Sequence, residues 1–276
     1  MTAGQLRRTV TAALAGDSAA FECDQLMMHL LHLNKTELLL DSDRVLSATQ
    51  EAALFALVER RRGGEPLQYI LGEWEFYSLP FTVGPGVLIP RADTETLVDA
   101  ALVCLAGHAA PVVADLCSGS GCVAEAIAHC RPDAAVHAFE LSEEALPYLH
   151  GNLVRNHIDN VTVSHRDVLA APPAGLRPDL IVSNPPYIPA AELPNLQLEV
   201  RHEPEMALDG GEDGLLFYRA ITARWLPLLS PGGAAAVEVG IGQADDVHAL
   251  FTTAGLDCTV REDMNGLPRV VAGLKR

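Results

Sequence analysis

Apolar residues recur at helical spacing up to about residue 72 and then give way to short alternating and continuous runs, so the chain divides by pattern alone. Behind Ser18, a candidate helix cap, Phe21, Leu26, Met27, Leu30 and Leu31 form one apolar set, and Leu54, Phe55, Leu57 and Val58 form another. The spacing predicts a small helical bundle with Met27 and Met28 as core filling. From Phe76 to Pro90 the period shortens. Leu79 to Val83 and Val87 to Ile89, broken by Gly84, Pro85 and Gly86, predict a hairpin. Beyond Asp93, helical stretches alternate with strand-like runs at 111–116, 135–140, 161–165, 178–183 and 233–239. Asp93 or Thr94 is placed to cap a helix reaching about Ala106. This alternation predicts an α/β fold with a mostly parallel sheet covered on both faces. Leu256 to Val260 and Pro268 to Gly273, around Asn265-Gly266, predict a closing antiparallel pair. Three regions follow: a helical domain over 1–72, a hairpin connector over 73–92 and an α/β domain over 93–276.

Composition narrows the functions open to such a fold. The chain has 276 residues, 49% of them hydrophobic, enough for a large core and a small companion domain. A formal charge of −17 opposes a surface that wraps nucleic acid, which relies on clustered Lys and Arg. The one run of three basic residues, Arg60, Arg61 and Arg62, reads as a solvated helix end, with a local basic patch as the alternative. Six cysteines without a C-x-x-C pair read as reduced thiols of a cytoplasmic protein. His29 and His32 stand three apart without a second pair of ligands nearby, so no metal is expected. The apolar stretch before Asp17 is short for a signal sequence and no run of eighteen apolar residues occurs, so neither export nor membrane insertion is expected.

Two segments at strand ends carry the chemistry. Asn184, Pro185, Pro186 and Tyr187 follow the apolar run Leu180 to Val182, and two prolines fix two φ angles and remove two donors. A stiff loop there, at the carboxyl end of a strand, can grip one planar amide or amino-substituted base. The second segment runs from Val112 through Asp115, Leu116, Cys117, Ser118, Gly119, Ser120 and Gly121 into a helix. A two-glycine turn also serves tight packing alone, but Glu140, ending the next strand, is placed to bind ribose hydroxyls. Asp115 before the turn is ready for a cationic amine. Carboxylates at both positions disfavour a pyrophosphate and suit a cofactor bearing an amino acid and a ribose, the form of S-adenosylmethionine. Asp167, after the third strand, is either a loop cap or a contact for an adenine amino group.

Together these residues resemble the seven-strand, Rossmann-like class of S-adenosylmethionine-dependent methyltransferases, and more narrowly the peptide chain release factor glutamine methyltransferases. The narrower likeness rests on Gly64 to Gly72, Glu75-Phe76-Tyr77, Leu88-Ile89-Pro90-Arg91 with Asp93-Thr94-Glu95, the glycine turn, Asn184 to Tyr187, and Glu203-Pro204 leading to Leu208. The resemblance implies an N-terminal helical domain that helps hold a protein substrate, a hairpin connector, and a catalytic domain whose last strand runs antiparallel. It also implies that residues 117 to 121 line the methionine end of the cofactor, Glu140 its ribose, and Asp167 and Val168 its adenine. Asn184 would contact both cofactor and substrate. The reaction implied is methyl transfer to the glutamine of the Gly-Gly-Gln loop of release factors, with S-adenosylhomocysteine as product. Cys117 departs from the family, which often has the turn's first glycine there. A sister family acting on a ribosomal-protein glutamine is similar at this point; Asp263-Met264-Asn265-Gly266 and the hairpin motif favour the release factor branch.

A glutamine amide is a poor nucleophile, so the expected task is to orient its lone pair. Asn184 Oδ1 and the Pro185 carbonyl would accept the two amide hydrogens, and Tyr187 would either stack on the amide or wedge the loop. Glu203 and Asp209 read as parts of a capped glycine-rich turn. The rival chemistry is methylation of an adenine or cytosine amine, since the same tetrapeptide could grip a flipped base. The partners expected are release factors, with no nucleic acid or membrane, for a protein acting as a monomer.

Overall fold

The computed structural model describes all residues 1–276, in two compact units. One unit comprises residues 1–73 with 197–202, the other 74–196 with 203–276.

The first unit is built from α1 (Ala3–Leu14), α2 (Ala19–Leu31), α3 (Lys35–Leu40), α4 (Ala48–Arg62) and α5 (Leu67–Leu71). Capping boxes start three of them: Thr2 with Gln5, Asn34 with Glu37 and Ser47 with Gln50. Leu6, Leu26, Met27, Leu54 and Val58 are buried at its centre. Three expectations change. Ser18 does not cap the backbone, because its hydroxyl donates to Glu22 Oε1 at 2.9 Å. Phe21 falls off the core face and is exposed. The arginine run is not merely solvated: Arg61 is half-buried and bonds Glu22 at 2.8 and 2.9 Å as well as Glu199, while Arg60 pairs with Glu65 and Arg62 with Glu59.

A hairpin of β1 (Glu73–Phe76) and β2 (Leu79–Thr82) begins at the last residue of the first unit's 1–73 stretch and otherwise belongs to the second. Tyr77 and Ser78 turn it at φ 51° and 62°, the doubly left-handed turn that matches strand twist. Val87 to Ile89 is not its second strand. The segment turns at Gly84 to Val87, and the Ile89 N–H is taken by the Glu203 carboxylate at 2.9 Å rather than by a neighbouring strand. Asn152 ties the hairpin down, accepting from Thr82 N at 2.7 Å and donating to Thr82 O and to Ser120 O.

Next come α6 (Glu95–Cys104), β3 (Val112–Leu116), α7 (Cys122–Cys130), β4 (Ala135–Glu140), α8 (Leu146–Arg155), β5 (Val161–His165) and β6 (Leu180–Ser183). Then follow α9 (Leu216–Ala220), β7 (Ala234–Glu238), α10 (Ala244–Thr253), β8 (Leu256–Glu262) and β9 (Pro268–Lys275). The seven-stranded sheet has the order β5-β4-β3-β6-β7-β9-β8, parallel except where β9 pairs with β7 and β8. The strands β6 and β7, buried on both faces, are apolar up to their last residues, Ser183 and Glu238, as a covered parallel sheet requires. The helix expected after Asp93 begins with a 3-10 turn, Ala92–Thr94, and neither candidate side chain caps it; Thr94 is engaged elsewhere.

Topology sets the site. The chain leaves β3 for β4 on one side, and β6 lies on the other, so a crevice opens at the carboxyl ends of β3 and β6. Register brings the two key segments side by side there, with Leu116 opposite Ser183, immediately before Cys117 and Asn184.

Candidate active site

The glycine turn is a sequence of left-handed residues. Cys117, Gly119 and Gly121 have φ of 61°, 54° and 87°. Cys117 therefore follows the backbone path a glycine would take, at the conformational cost of carrying a side chain. Gly121 has a second constraint, since a Cβ there would lie 3.0 Å from Glu125 Oε1 and 3.1 Å from Leu149. The turn closes through Gly121 N to Ser118 O at 2.8 Å and Ser118 Oγ to Asp115 O at 3.1 Å.

Two carboxylates stand behind this turn in opposite conditions. Asp115 is buried, its Oδ2 has no hydrogen-bond partner, and burial, with the Glu140 charge adding to it, pushes its carboxyl up to about 7. Such a buried bare acceptor is costly unless a ligand completes it. Glu140 instead accepts Gly119 N at 2.7 Å and Ser142 N at 2.6 Å, one N–H per oxygen, so each oxygen retains a lone pair for a hydroxyl donor. Asp167 caps its loop, Oδ1 accepting Leu169 N at 2.7 Å, and the residue lines the cavity described below. Val168 is buried beside it, its carbonyl accepting Trp225 Nε1 at 2.9 Å.

Two adjoining cavities occupy the crevice. One is walled by Phe139, Glu140, Ser142, Asp167, Val168 and Pro186, the other by Thr94, Asp115, Ser118 and Ser120. Leu88, Cys117, Gly119 and Asn184 border both. Of the residues expected at the site, Gly121, Pro185 and Tyr187 line neither cavity.

On the other side of the crevice, the Asn-Pro-Pro-Tyr loop is held from behind. Asn184 Nδ2 donates to Thr94 Oγ1 at 3.2 Å, and Thr94 Oγ1 donates to Glu238 Oε2 at 2.6 Å. Tyr187 points its hydroxyl at Glu238 Oε1, 3.5 Å away, and its backbone carbonyl accepts Gln243 Nε2 at 2.8 Å. Burial, then the Glu238 charge, raise the Tyr187 hydroxyl to about 12, so it stays protonated. Gly210 packs so closely that a Cβ would lie 2.7 Å from Tyr187 Cα.

Three contributors escaped sequence reasoning in these roles. Thr94 has the composition of a helix cap, which masks its buried hydrogen bonds. Glu238 did leave a signal, a carboxylate inside the otherwise apolar run Ala234 to Val239. Glu203 is not part of a capped turn: it is buried, accepts Ile89 N and pairs with Arg91, pinning the Leu88 segment against the crevice. Asp209 does cap, accepting Gly211 N at 2.8 Å.

The unmet acceptor of Asp115 suits an ammonium, the spare lone pairs of Glu140 suit ribose hydroxyls, and the largely apolar wall around Val168 suits a base. Fold and site thus define an S-adenosylmethionine-dependent methyltransferase of the seven-strand class. Residues 5–72 match the family model for the PrmC N-terminal domain, and residues 94–207 that for the methyltransferase small domain. The chain is 47% identical over 259 residues to a release factor glutamine methyltransferase of Geobacter sulfurreducens, covering 93% of this chain and 90% of that protein. It is 39% identical over 282 residues to the protein of the same name from Bradyrhizobium diazoefficiens, covering 98% and 93%. The chain belongs to the release factor glutamine methyltransferase family. A solved methyltransferase from Pyrococcus furiosus shares the fold, with a TM-score of 0.53 at 17% identity over 72% of this chain and 90% of that one.

Proposed function

We propose that this protein transfers a methyl group from S-adenosylmethionine to the side-chain amide nitrogen of the glutamine in the Gly-Gly-Gln loop of peptide chain release factors. Bound S-adenosylmethionine supplies an electrophilic methyl on its sulfonium. Asp115 would hold the amine of the methionine portion, Cys117 to Gly121 its backbone, Glu140 the ribose, and Asp167 with Val168 the adenine. Pro186 borders the crevice beside Asn184.

The observation that carries the acceptor assignment is the tether on Asn184. Its Nδ2 is spent on Thr94, leaving Oδ1 as the free acceptor of the amide. In this reading Asn184 Oδ1 and the Pro185 carbonyl accept the two hydrogens of the substrate amide. Acceptors fixed there stabilise the positive charge that grows on nitrogen during attack, without prior proton abstraction. The surplus proton leaves to solvent after transfer. Tyr187, tied at its hydroxyl and its carbonyl, braces the loop. The helical unit is read as a holder of the protein substrate, and the protein as a cytoplasmic one acting as a monomer. No helix is long and apolar enough to cross a membrane.

The test is transfer of labelled methyl to a purified release factor, beside its Gln→Ala variant at the Gly-Gly-Gln loop, a ribosomal protein fraction and duplex DNA. Label in the unaltered release factor alone is expected. Label in ribosomal protein or DNA would keep the cofactor and overturn the acceptor.

A further inference from the structure

Behind Asn184 lies a hydrogen-bond chain with a direction. We infer that Glu238 is a positioning residue for the methyl acceptor: through Thr94, its carboxylate sets which end of the Asn184 amide faces the substrate, and protonation of Glu238 reverses that choice. This rests on the glutamine chemistry proposed above.

The direction follows from counting protons. Ionised Glu238 can only accept, and Thr94 Oγ1 at 2.6 Å has one proton to give. With that proton committed, Thr94 can only accept from Asn184, so the amide turns its Nδ2 inward at 3.2 Å and its Oδ1 outward. Thr94 and Glu238 are 2% and 1% exposed, so no water competes for these partners. A protonated Glu238 donates to Thr94 Oγ1 instead. The threonine proton then turns toward Asn184 and selects Oδ1, presenting the amide NH₂ to the substrate's own NH₂. Two donors then face each other where an acceptor is required.

The setting makes that proton available. The groups around Glu238 come from four elements: Thr94 and Asp93 at the start of α6, Tyr187 after β6, Tyr218 on α9, and Arg269 on β9. Tyr218 donates to the Glu238 backbone carbonyl at 2.8 Å and Tyr187 approaches the carboxylate. Arg269 is the nearby cation, but it is shared with Asp263 at 3.0 Å and Asp93 at 3.3 Å, and Arg91 beside Tyr187 is paired with Glu203. Burial raises the Glu238 carboxyl to about 7, against the pull of Thr94 and Arg269 and with Asp93 adding to the rise.

The test is kcat against pH at saturating cofactor and release factor, which removes any titration seen only in cofactor binding. Wild-type kcat should climb through about pH 7. Glu238→Gln can donate to Thr94 and mimics the protonated state; kcat should fall about 10²-fold and lose the acid limb, with affinity for S-adenosylhomocysteine kept. Thr94→Ser should preserve kcat and the limb, and Thr94→Val should lose both. Wild-type kcat in Glu238→Gln, or an equal loss in Thr94→Ser and Thr94→Val, would overturn the inference. Should Glu238→Gln not fold, the Thr94 pair decides. A wild type inactive on release factor would instead overturn the glutamine reading.

Discussion

The two walls of the crevice solve the problem of holding a ligand in opposite ways. The turn after β3 uses backbone: left-handed residues, small side chains, and carboxylates that either take N–H groups or keep one oxygen unpartnered in the interior. The loop after β6 uses side chains: two prolines stiffen it, while Thr94, Glu238 and Gln243 fix it from behind. One wall is shaped to admit a molecule closely, the other to present a few atoms at fixed angles. Binding and positioning are thus separable here, and substitutions on the two walls should move different observables.

The largest effect should come from Asn184→Ala. Removing one preorganised contact typically lowers kcat about 10²- to 10³-fold, and steady-state methyl transfer should show that loss with a much smaller change in S-adenosylhomocysteine affinity. A comparable loss of affinity would break the contrast. Asp115→Asn should do the reverse, weakening S-adenosylmethionine binding by roughly 10- to 100-fold, the value of one or two charged hydrogen-bond increments. The sign of its pH dependence is fixed: free Asp115 titrates near about 7, and pairing an ammonium needs its carboxylate. Affinity should therefore fall as pH drops below that value, and calorimetry on Asp115→Asn should show no such slope.

Gly210→Ala sharpens the comparison from the loop's outer side. Its Cβ meets the backbone of Tyr187 at 2.7 Å, where no flexible side chain can yield. Overpacking of about 1–3 kcal/mol should displace the loop and cut kcat by about 10-fold or more while cofactor affinity holds. The smallest effect belongs to Cys117→Gly. Its φ of 61° already lies in the glycine region, so relief of strain and added chain freedom in the unfolded state oppose one another. Thermal unfolding should shift by less than the equivalent of about 1 kcal/mol, with cofactor binding retained.

Legibility in sequence followed the same division. The sheet was readable because β6 and β7 are apolar up to their last residues and the glycine turn interrupts a strand-to-helix pattern, all local signals. The turn residues and Asn184 were readable for the same reason. The support of Asn184 was not, because Thr94 and Glu238 lie 90 and 54 positions away in the chain; Glu238 meets it through the register of β6 with β7, and Thr94 through the turn that starts α6. The hairpin differs at Val87 to Ile89 because an apolar triplet reads as a strand whether its N–H groups meet a strand or, as here, the Gly84 carbonyl and the Glu203 carboxylate. Phe21 shows the complementary limit: helical spacing shows that a face exists, but not how wide the bundle's contact with it will be.

Trp225 gives this arrangement an optical consequence. The indole is fully buried, packs edgewise on Phe139 at 5.0 Å, and donates to the carbonyl of Val168 on the cavity wall. The only other tryptophan, Trp74, lies in the hairpin and is partly solvent-exposed. Trp225 should therefore emit toward the blue, and with Trp74 replaced by Phe, the adenine placement proposed above predicts that the remaining emission shifts when cofactor is added, a label-free signal readable in real time without following turnover.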